Sequence, residues 1–580
     1  MSLWKTQSPP PAPDIVATSP TDVPLSHSAH ETTNGLGRQC FESLTCLAVA
    51  VLLFRCFALE GYIISTGSMA PNLLGAHKRI ECPDCGRRFP FGVAFDREAS
   101  TSPLVRCPNC QQPAIDVTEV PRNDGDQLLV FKQSFDFRDP KRWEIVVFLN
   151  PANPLQAYVK RVVGLPGETI QVRDGDVFIN GQLERKTLEK QRSLRIPVFD
   201  QEFLAQGADW LPRWMPDSGW AQTERSFIRS LDDDPRFAWL QYRPWPRQVP
   251  EDVPSGPRSL APHLISDCYG YNRIFGMDEE HPVRDLTVTA KVDFPEHGKL
   301  ASVLETGSHL AVCVIDAEQL QAQLYVIDDE RGLEEIAAER VAPLAKAALS
   351  KSQLGKGVDF EFSNFDHTLN VALNGSLVLQ RELDVEPATP GSKTPHGRTA
   401  APRAVAKTVL PPEDIDLGQA GFGVPPAGTP ARAEIAIAGY TSRAPEAPTD
   451  ENLADELNVS TSNFGMPAIA QRSQVRFGTT SGAFRIRELR IYRDIHYLSE
   501  PGQHACEGPL QLGNDEFFFL GDNSPVSLDS RGWKNPTVPR RLLVGRPLCV
   551  HLPSRPARIR FGEWSTLLRL PDIEHIRWIH

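Results

Sequence analysis

Long hydrophobic runs are all but missing from this sequence of 580 residues. Only Phe41 to Ile64 is mostly apolar, and its charge-free core, Ser43 to Phe54, is shorter than the roughly 20 residues a spanning helix wants. That leaves room for one anchor at most. A surplus of positive charge is also missing. With 61 Lys and Arg against 73 Asp and Glu, the formal net charge is -12, and there is neither a basic stripe nor an RNA-binding motif. Nucleic acid is therefore excluded as a partner. Disulfide-like cysteine spacing is absent too: Cys40, Cys46 and Cys56 lie in or beside the apolar stretch, and Cys268, Cys313, Cys506 and Cys549 are scattered. No sugar-binding or calcium-binding motif can be read.

What is present points to strands and loops. The 51 prolines exceed the average share of about 5% and imply long irregular connections. Gly125–Phe131 and Trp143–Phe148 read as strands. Ile170–Arg173 and Asp176–Ile179 are joined by Asp174-Gly175, and Asn180-Gly181 makes the next turn, dipeptides that suit two-residue hairpins. Further on, Leu286, Val288, Ala290, Val292 and Phe294 alternate, as do Val358, Phe360 and Phe362, and Asn374-Gly375 marks another hairpin. One apolar face over many strands implies a two-sheet sandwich, similar in pattern to the concanavalin A-like or laminin-G jelly roll. Cys82, Cys85, Cys107 and Cys110 form two C-x2-C knuckles, the spacing of a zinc ribbon, with a pair of disulfides as the rival reading. A closed four-thiolate site has no open coordination position, so the expected zinc is structural.

Three stretches carry chemistry. Ser65-Thr66-Gly67-Ser68-Met69-Ala70-Pro71 puts a serine hydroxyl on a Gly/Pro turn just past the apolar stretch. Tyr158-Val159-Lys160-Arg161-Val162-Val163-Gly164-Leu165-Pro166-Gly167-Glu168 holds a lysine in a β-branched run, where Tyr158 and Val162 share its face. Gly521-Asp522-Asn523-Ser524 leads into Ser527, Asp529, Ser530 and Arg531. A serine needs a base to attack, and none of the 14 histidines stands in a motif that would pair with Ser68. Burial of Lys160 would lower its pKa and make it that base. Together the stretches resemble the type I signal peptidase (leader peptidase) family, with motifs SGSMxP, KRxxGxPGD and GDNxxxSxDSR. The resemblance implies Ser68 as nucleophile and Lys160 as general base, with Ser527 orienting the lysine ammonium. It makes the Ser68 N–H and the Thr66 hydroxyl the oxyanion donors. Gly521, Asp522, Asn523, Asp529 and Arg531 are supporting residues, with Asp529 and Arg531 as an ion pair. Ala70, Asn72 and Ser524-Pro525-Val526 depart from the family's commoner residues.

The expected fold is mainly β: a signal-peptidase-type antiparallel catalytic domain on an N-terminal transmembrane helix, with an inserted zinc ribbon and a large inserted sandwich. The boundaries are a disordered tail (1–40), an anchor (41–60), peptidase segments (61–80, 114–190, 505–557), the ribbon (81–113), an irregular Trp/Pro-rich segment (191–264), the sandwich (265–504) with Pro-rich excursions at 386–432 and 443–472, and a C-terminal tail (558–580). Signal peptides of secreted preproteins and the lipid bilayer are the expected partners, with an unknown ligand for the sandwich and no catalytic cofactor. The expected place is the inner (cell) membrane, single-pass, catalytic domain outside. Two rivals stand beside the membrane-anchored endopeptidase. A self-cleaving repressor is opposed by the missing helix-turn-helix. A surface binding protein with an inactive peptidase part is opposed by the retention of Ser68, Lys160 and Ser527.

Overall fold

The computed structural model describes residues 36–93, 105–205, 212–244, 264–267, 271, 281–384 and 473–579, less short gaps at 114, 218, 224, 230–235, 308, 553 and 562–563. The tail up to residue 35, Trp210, Trp245, Cys268 and the two Pro-rich excursions lie outside the described residues. Two compact units divide at Cys56 and Phe57.

The described part of the first unit is the helix Leu36–Phe57 up to Cys56. It corrects the expected anchor. The helix begins before the apolar stretch, takes in Arg38, Glu42 and Arg55, and ends before Leu59, which already belongs to a strand. Among the described residues no helix is long and apolar enough to cross a membrane.

The second unit is mainly β, as expected. Its first sheet runs Leu59–Ile63, Gln127–Phe131, Leu543–Val550, Ile145–Asn150, Asn153–Gly164, Glu516–Leu520 and Val538–Pro539. All the recorded pairings in it are antiparallel, and strands from the start and the end of the chain alternate. The segment between Gly164 and Glu516 therefore leaves from one side of the sheet and returns beside its point of departure. A smaller sheet follows, in which Gln182–Leu183, Asp176–Ile179, Thr169–Arg173 and Leu510–Gln511 pair in that order. Asp174, Gly175, Asn180 and Gly181 all have positive φ, between 52° and 94°, which is why these residue types occupy the two hairpin turns.

Between these halves stand two seven- and eight-stranded sheets face to face. Leu286, Val288, Ala290 and Val292 of one strand, Phe360 and Phe362 of its neighbour, and Leu300, Leu304, Cys313 and Phe477 of the opposing sheet fill one core. The segment read as irregular turns out to build the sandwich: Ile196–Asp200, Trp220–Gln222 and Ser226–Arg229 join one sheet, Trp214–Pro216 and Ala238–Tyr242 the other. Short strands of three to five residues carry too little alternation to be seen as a period, and here their register is set by long partners. The C-terminal stretch is likewise not a free tail. Ser554–Phe561 and Trp564–Pro571 form a hairpin, and Arg577–Trp578 returns to pair with Leu543–Val550.

Candidate active site

Lys160 lies on the central strand Asn153–Gly164, opposite Val146. Alternation turns Tyr158, Lys160 and Val162 to one face, where Val146, Phe148, Phe517 and Phe519 pack. Its Nζ donates to Ser68 Oγ at 2.5 Å, and both side chains are buried. Burial pulls the lysine pKa down to about 8, against the opposing pull of Asp529 and Asp522. A neutral amine is thus reachable near neutral pH, and it touches the hydroxyl whose proton it would take.

The nucleophile turn is held from below by the 521–531 stretch. Asn523 donates its backbone N–H to the Ser68 carbonyl at 3.0 Å and its side-chain amide to the Gly67 carbonyl at 2.8 Å. Between them Gly521 sits so close that a Cβ there would fall 2.6 Å from the Ser68 carbonyl oxygen and 2.1 Å from Ser527 Oγ. Only glycine fits. Asp529 takes the Gly521 N–H at 3.0 Å and forms a doubly bonded pair with Arg531, at 2.9 and 2.7 Å, with both side chains buried. Against the upward push of burial, Arg531 holds the Asp529 pKa below its ordinary value.

Two expected roles look different in place. Thr66 Oγ1 stands 3.5 Å from Ser68 Oγ, at the far limit of a hydrogen bond. Ser527 does not orient the lysine through a hydrogen bond. Its Oγ is enclosed without a partner, because the side chain is directed over Gly521, where the missing Cβ leaves room.

Residues 118–218 match the family model described as signal peptidase, peptidase S26. A signal peptidase I from Leptolyngbya laminosa is 50% identical over 65 residues, 10% of this chain and 32% of the relative. Those from Pseudomonas aeruginosa and Rickettsia typhi are 27% and 26% identical over 180 and 155 residues, covering 29% and 27% of this chain and 50% and 48% of the relatives. The chain thus spans at most half the length of these signal peptidases. Among solved structures, a carbohydrate-binding module CBM66 from Bacillus subtilis covers 30% of this chain and 82% of its own, at 11% identity and a TM-score of 0.19. A score that low bears on neither fold nor ligand.

The structure also gives roles to residues that were left without one, inside the three chemistry-bearing stretches and outside them. Arg161 follows the lysine, so alternation sends it to the opposite face, where it grips Asp522 with two bonds of 2.7 and 2.6 Å and donates to the Trp143 carbonyl at 2.6 Å. Asn72, which departs from the family pattern, donates to the same Asp522 at 2.7 Å and so ties the nucleophile turn to this buried pair. Arg577 holds the turn from its other end, donating to the Asn72 carbonyl at 2.8 Å and to Asp126 at 2.6 Å. Tyr271, between the two long strand-rich halves of the chain, lies on Gly67 and donates to the Ala76 carbonyl at 3.1 Å. A lysine-arginine dipeptide inside a strand was the one signal that could have pointed to Arg161. Nothing in the order of residues pointed to Tyr271 or Arg577.

The four paired cysteines also meet. Cys82 and Cys110 sulfurs are 3.5 Å apart, those of Cys85 and Cys107 3.7 Å, and all four lie within 4.8 Å of one another. These separations far exceed the S–S bond of about 2.05 Å. They suit the edge of a tetrahedron, about 3.8 Å, around an ion with metal–sulfur bonds of about 2.3 Å. Phe89, Phe91, Val105 and Ile115 close around the knuckles.

Proposed function

We propose that this protein is a Ser/Lys endopeptidase that removes signal peptides from secreted preproteins. The observation that carries the reading is the contact between Ser68 Oγ and Lys160 Nζ, both buried, with burial lowering the lysine pKa. In the proposed mechanism neutral Lys160 takes the Ser68 proton as the oxygen attacks the scissile carbonyl. The resulting ammonium then protonates the leaving amine, and the acyl-enzyme is hydrolysed with the same lysine activating water. The Ser68 N–H and Thr66 hydroxyl would receive the oxyanion, Thr66 once a substrate oxygen displaces its long contact with Ser68. The likeness to signal peptidases supports the substrate class, a preprotein cleaved after small residues.

The four thiolates of Cys82, Cys85, Cys107 and Cys110 would hold a structural zinc, which brings two chain segments together and takes no part in proton transfer. The proposed place of work is the outer face of the cell membrane, beside the apolar segment of the substrate. Leu36–Phe57 alone does not supply a spanning helix, so membrane association is a separate question, answered by carbonate extraction of membranes from cells expressing the full chain.

Incubation of a preprotein with the purified protein tests the activity. Wild type should release the mature chain, and Ser68→Ala and Lys160→Ala should not. Cleavage at an undiminished rate by either variant would leave the mechanism without its nucleophile or its base.

A further inference from the structure

The nucleophile turn is closed at its base by a single residue. Asp126, just before the strand Gln127–Phe131, accepts the Ile64 N–H on its backbone carbonyl at 2.9 Å and donates its own N–H to the Leu74 carbonyl at 2.8 Å. Its carboxylate takes the Leu74 N–H at 2.9 Å. The two ends of the turn press on Gly125, where a Cβ would fall 1.6 Å from the Ile64 carbonyl oxygen and 2.9 Å from that of Leu74. Inside the closed loop the Ala70 N–H donates to the Gly67 carbonyl at 3.0 Å and the Leu73 N–H to the Met69 carbonyl at 2.9 Å. Ser68 therefore rides on two consecutive turns, and a shift at Asn72 is passed back to it along bonded backbone.

A segment 505 residues beyond Asn72 grips this loop. Arg577 Nη2 donates to the Asn72 carbonyl at 2.8 Å and to the Asp126 carboxylate at 2.6 Å. One nitrogen thus joins the far end of the turn to the residue that closes it. Ile579, two residues on, packs with the cluster that holds Ile64, Met69 and Leu73. The segment is fixed in turn by its own bonds. Arg577–Trp578 pairs with Cys549–Val550, and the Ile579 N–H donates to the Leu548 carbonyl at 2.8 Å. Asp572, buried, binds His575 at 2.8 Å and Arg79 on His77–Glu81, the strand that leaves the turn.

We propose that Asp572–Ile579 is a clasp that positions Ser68, with Arg577 as the positioning residue. The proposal deepens the peptidase reading and rests on it, since it concerns where the nucleophile stands and leaves the chemistry to Ser68 and Lys160. Asn72 is where the two supports meet. Its carbonyl is held by Arg577, and its side chain by Asp522, the partner of Arg161 on the lysine strand. With the Arg577 anchor gone, the turn can move relative to Lys160, and a displacement of about 1 Å costs on the order of 100-fold in rate.

The test uses the full-length protein in detergent. Arg577→Gln should lower kcat for preprotein cleavage by about 10- to 100-fold, with KM and the limb of the pH profile as in wild type, because Lys160 is untouched. Arg577→Lys keeps a charge beside Asp126 but loses the planar fork, and it should recover part of the loss. Glu574→Gln, which removes an exposed charge from the same segment, should leave kcat as it is. Hydrogen exchange supplies a readout that does not depend on activity. In Arg577→Gln, peptides covering residues 64–74 should exchange at least about tenfold faster, while those of the sandwich keep their wild-type rates. If Arg577→Gln does not fold, Arg577→Lys should show the same two effects at smaller size. Wild type that cleaves no preprotein would sink the peptidase reading and leave the exchange comparison to decide the clasp. A folded Arg577→Gln protein with wild-type kcat or with wild-type exchange across 64–74 would overturn the proposal, as would faster exchange spread evenly over the whole chain.

Discussion

At the residue scale everything turns on one amine. With the folded pKa of Lys160 near 8 and its ordinary value at 10.5, the neutral base becomes abundant only as pH rises through about 8. The expected pH profile of kcat/KM for preprotein cleavage therefore climbs on that limb, and a profile flat from pH 6 to 9 would count against Lys160 as the base. Stability moves in the same direction as pH rises. Folding disfavours the ammonium, so the cost is complete below the folded pKa and disappears as pH rises through the unfolded one. A shift of this size corresponds to about 3 kcal/mol. Lys160→Met should lose cleavage by at least about three orders of magnitude yet unfold at pH 7 no more easily than wild type, and chemical denaturation checks it. Thr66→Val keeps the shape and removes a hydroxyl. If that hydroxyl meets the oxyanion, kcat should fall by about 100-fold with little change in KM.

At the scale of elements, the buried Arg161–Asp522 pair joins the central strand to the nucleophile turn through Asn72. Asp522→Asn would leave a guanidinium uncompensated in the interior, a loss of about 3–5 kcal/mol, to be read as a lowered denaturant midpoint. Gly521→Ala should fold but push the 521–527 segment away from Ser68, since a Cβ meets the Ser68 carbonyl and Ser527 at once. Its cleavage rate should drop well below that of wild type, and its melting temperature should fall with it, because a backbone carbonyl has to move. In the ribbon, elemental analysis of wild type should find about one zinc per chain, and Cys82→Ser should lose it and become sensitive to proteolysis between residues 81 and 113. Wild type without zinc would return the four cysteines to the disulfide reading.

At the scale of the whole molecule, a residue some two hundred positions along the chain takes part in the geometry of the site. Tyr271 packs on Gly67, next to the nucleophile, and the Gly92 N–H donates to its carbonyl at 2.9 Å. Tyr271→Ala should therefore lower kcat by about 10- to 100-fold through a misplaced Ser68, with Lys160 untouched and the same limb in the pH profile. An unchanged kcat would make the contact merely structural.

Much of the site was legible because its residue types are chemically unusual where they stand: a lysine amid β-branched residues, a serine in a Gly/Pro turn, and cysteines in tight pairs. The strong alternation around Leu286 and Phe360 likewise announced a sandwich, and Asp-Gly and Asn-Gly dipeptides marked hairpins that have the required positive φ. Other features were hidden. The short strands near Trp214 and Ser226 had too few residues to show a period, and the helix beginning at Leu36 could not be told from its apolar centre alone. What local order determined was which groups could react and which stretches could fold as sheet. What only tertiary structure decided was which of them touch: Ser68 with Lys160, Arg161 with Asp522, Tyr271 with Gly67. Hydroxyl, amine and carboxylate acquire their reactivity from burial and distance, and both arise when stretches far apart in the chain, 92 residues for Ser68 and Lys160 and 361 for Arg161 and Asp522, are packed against each other.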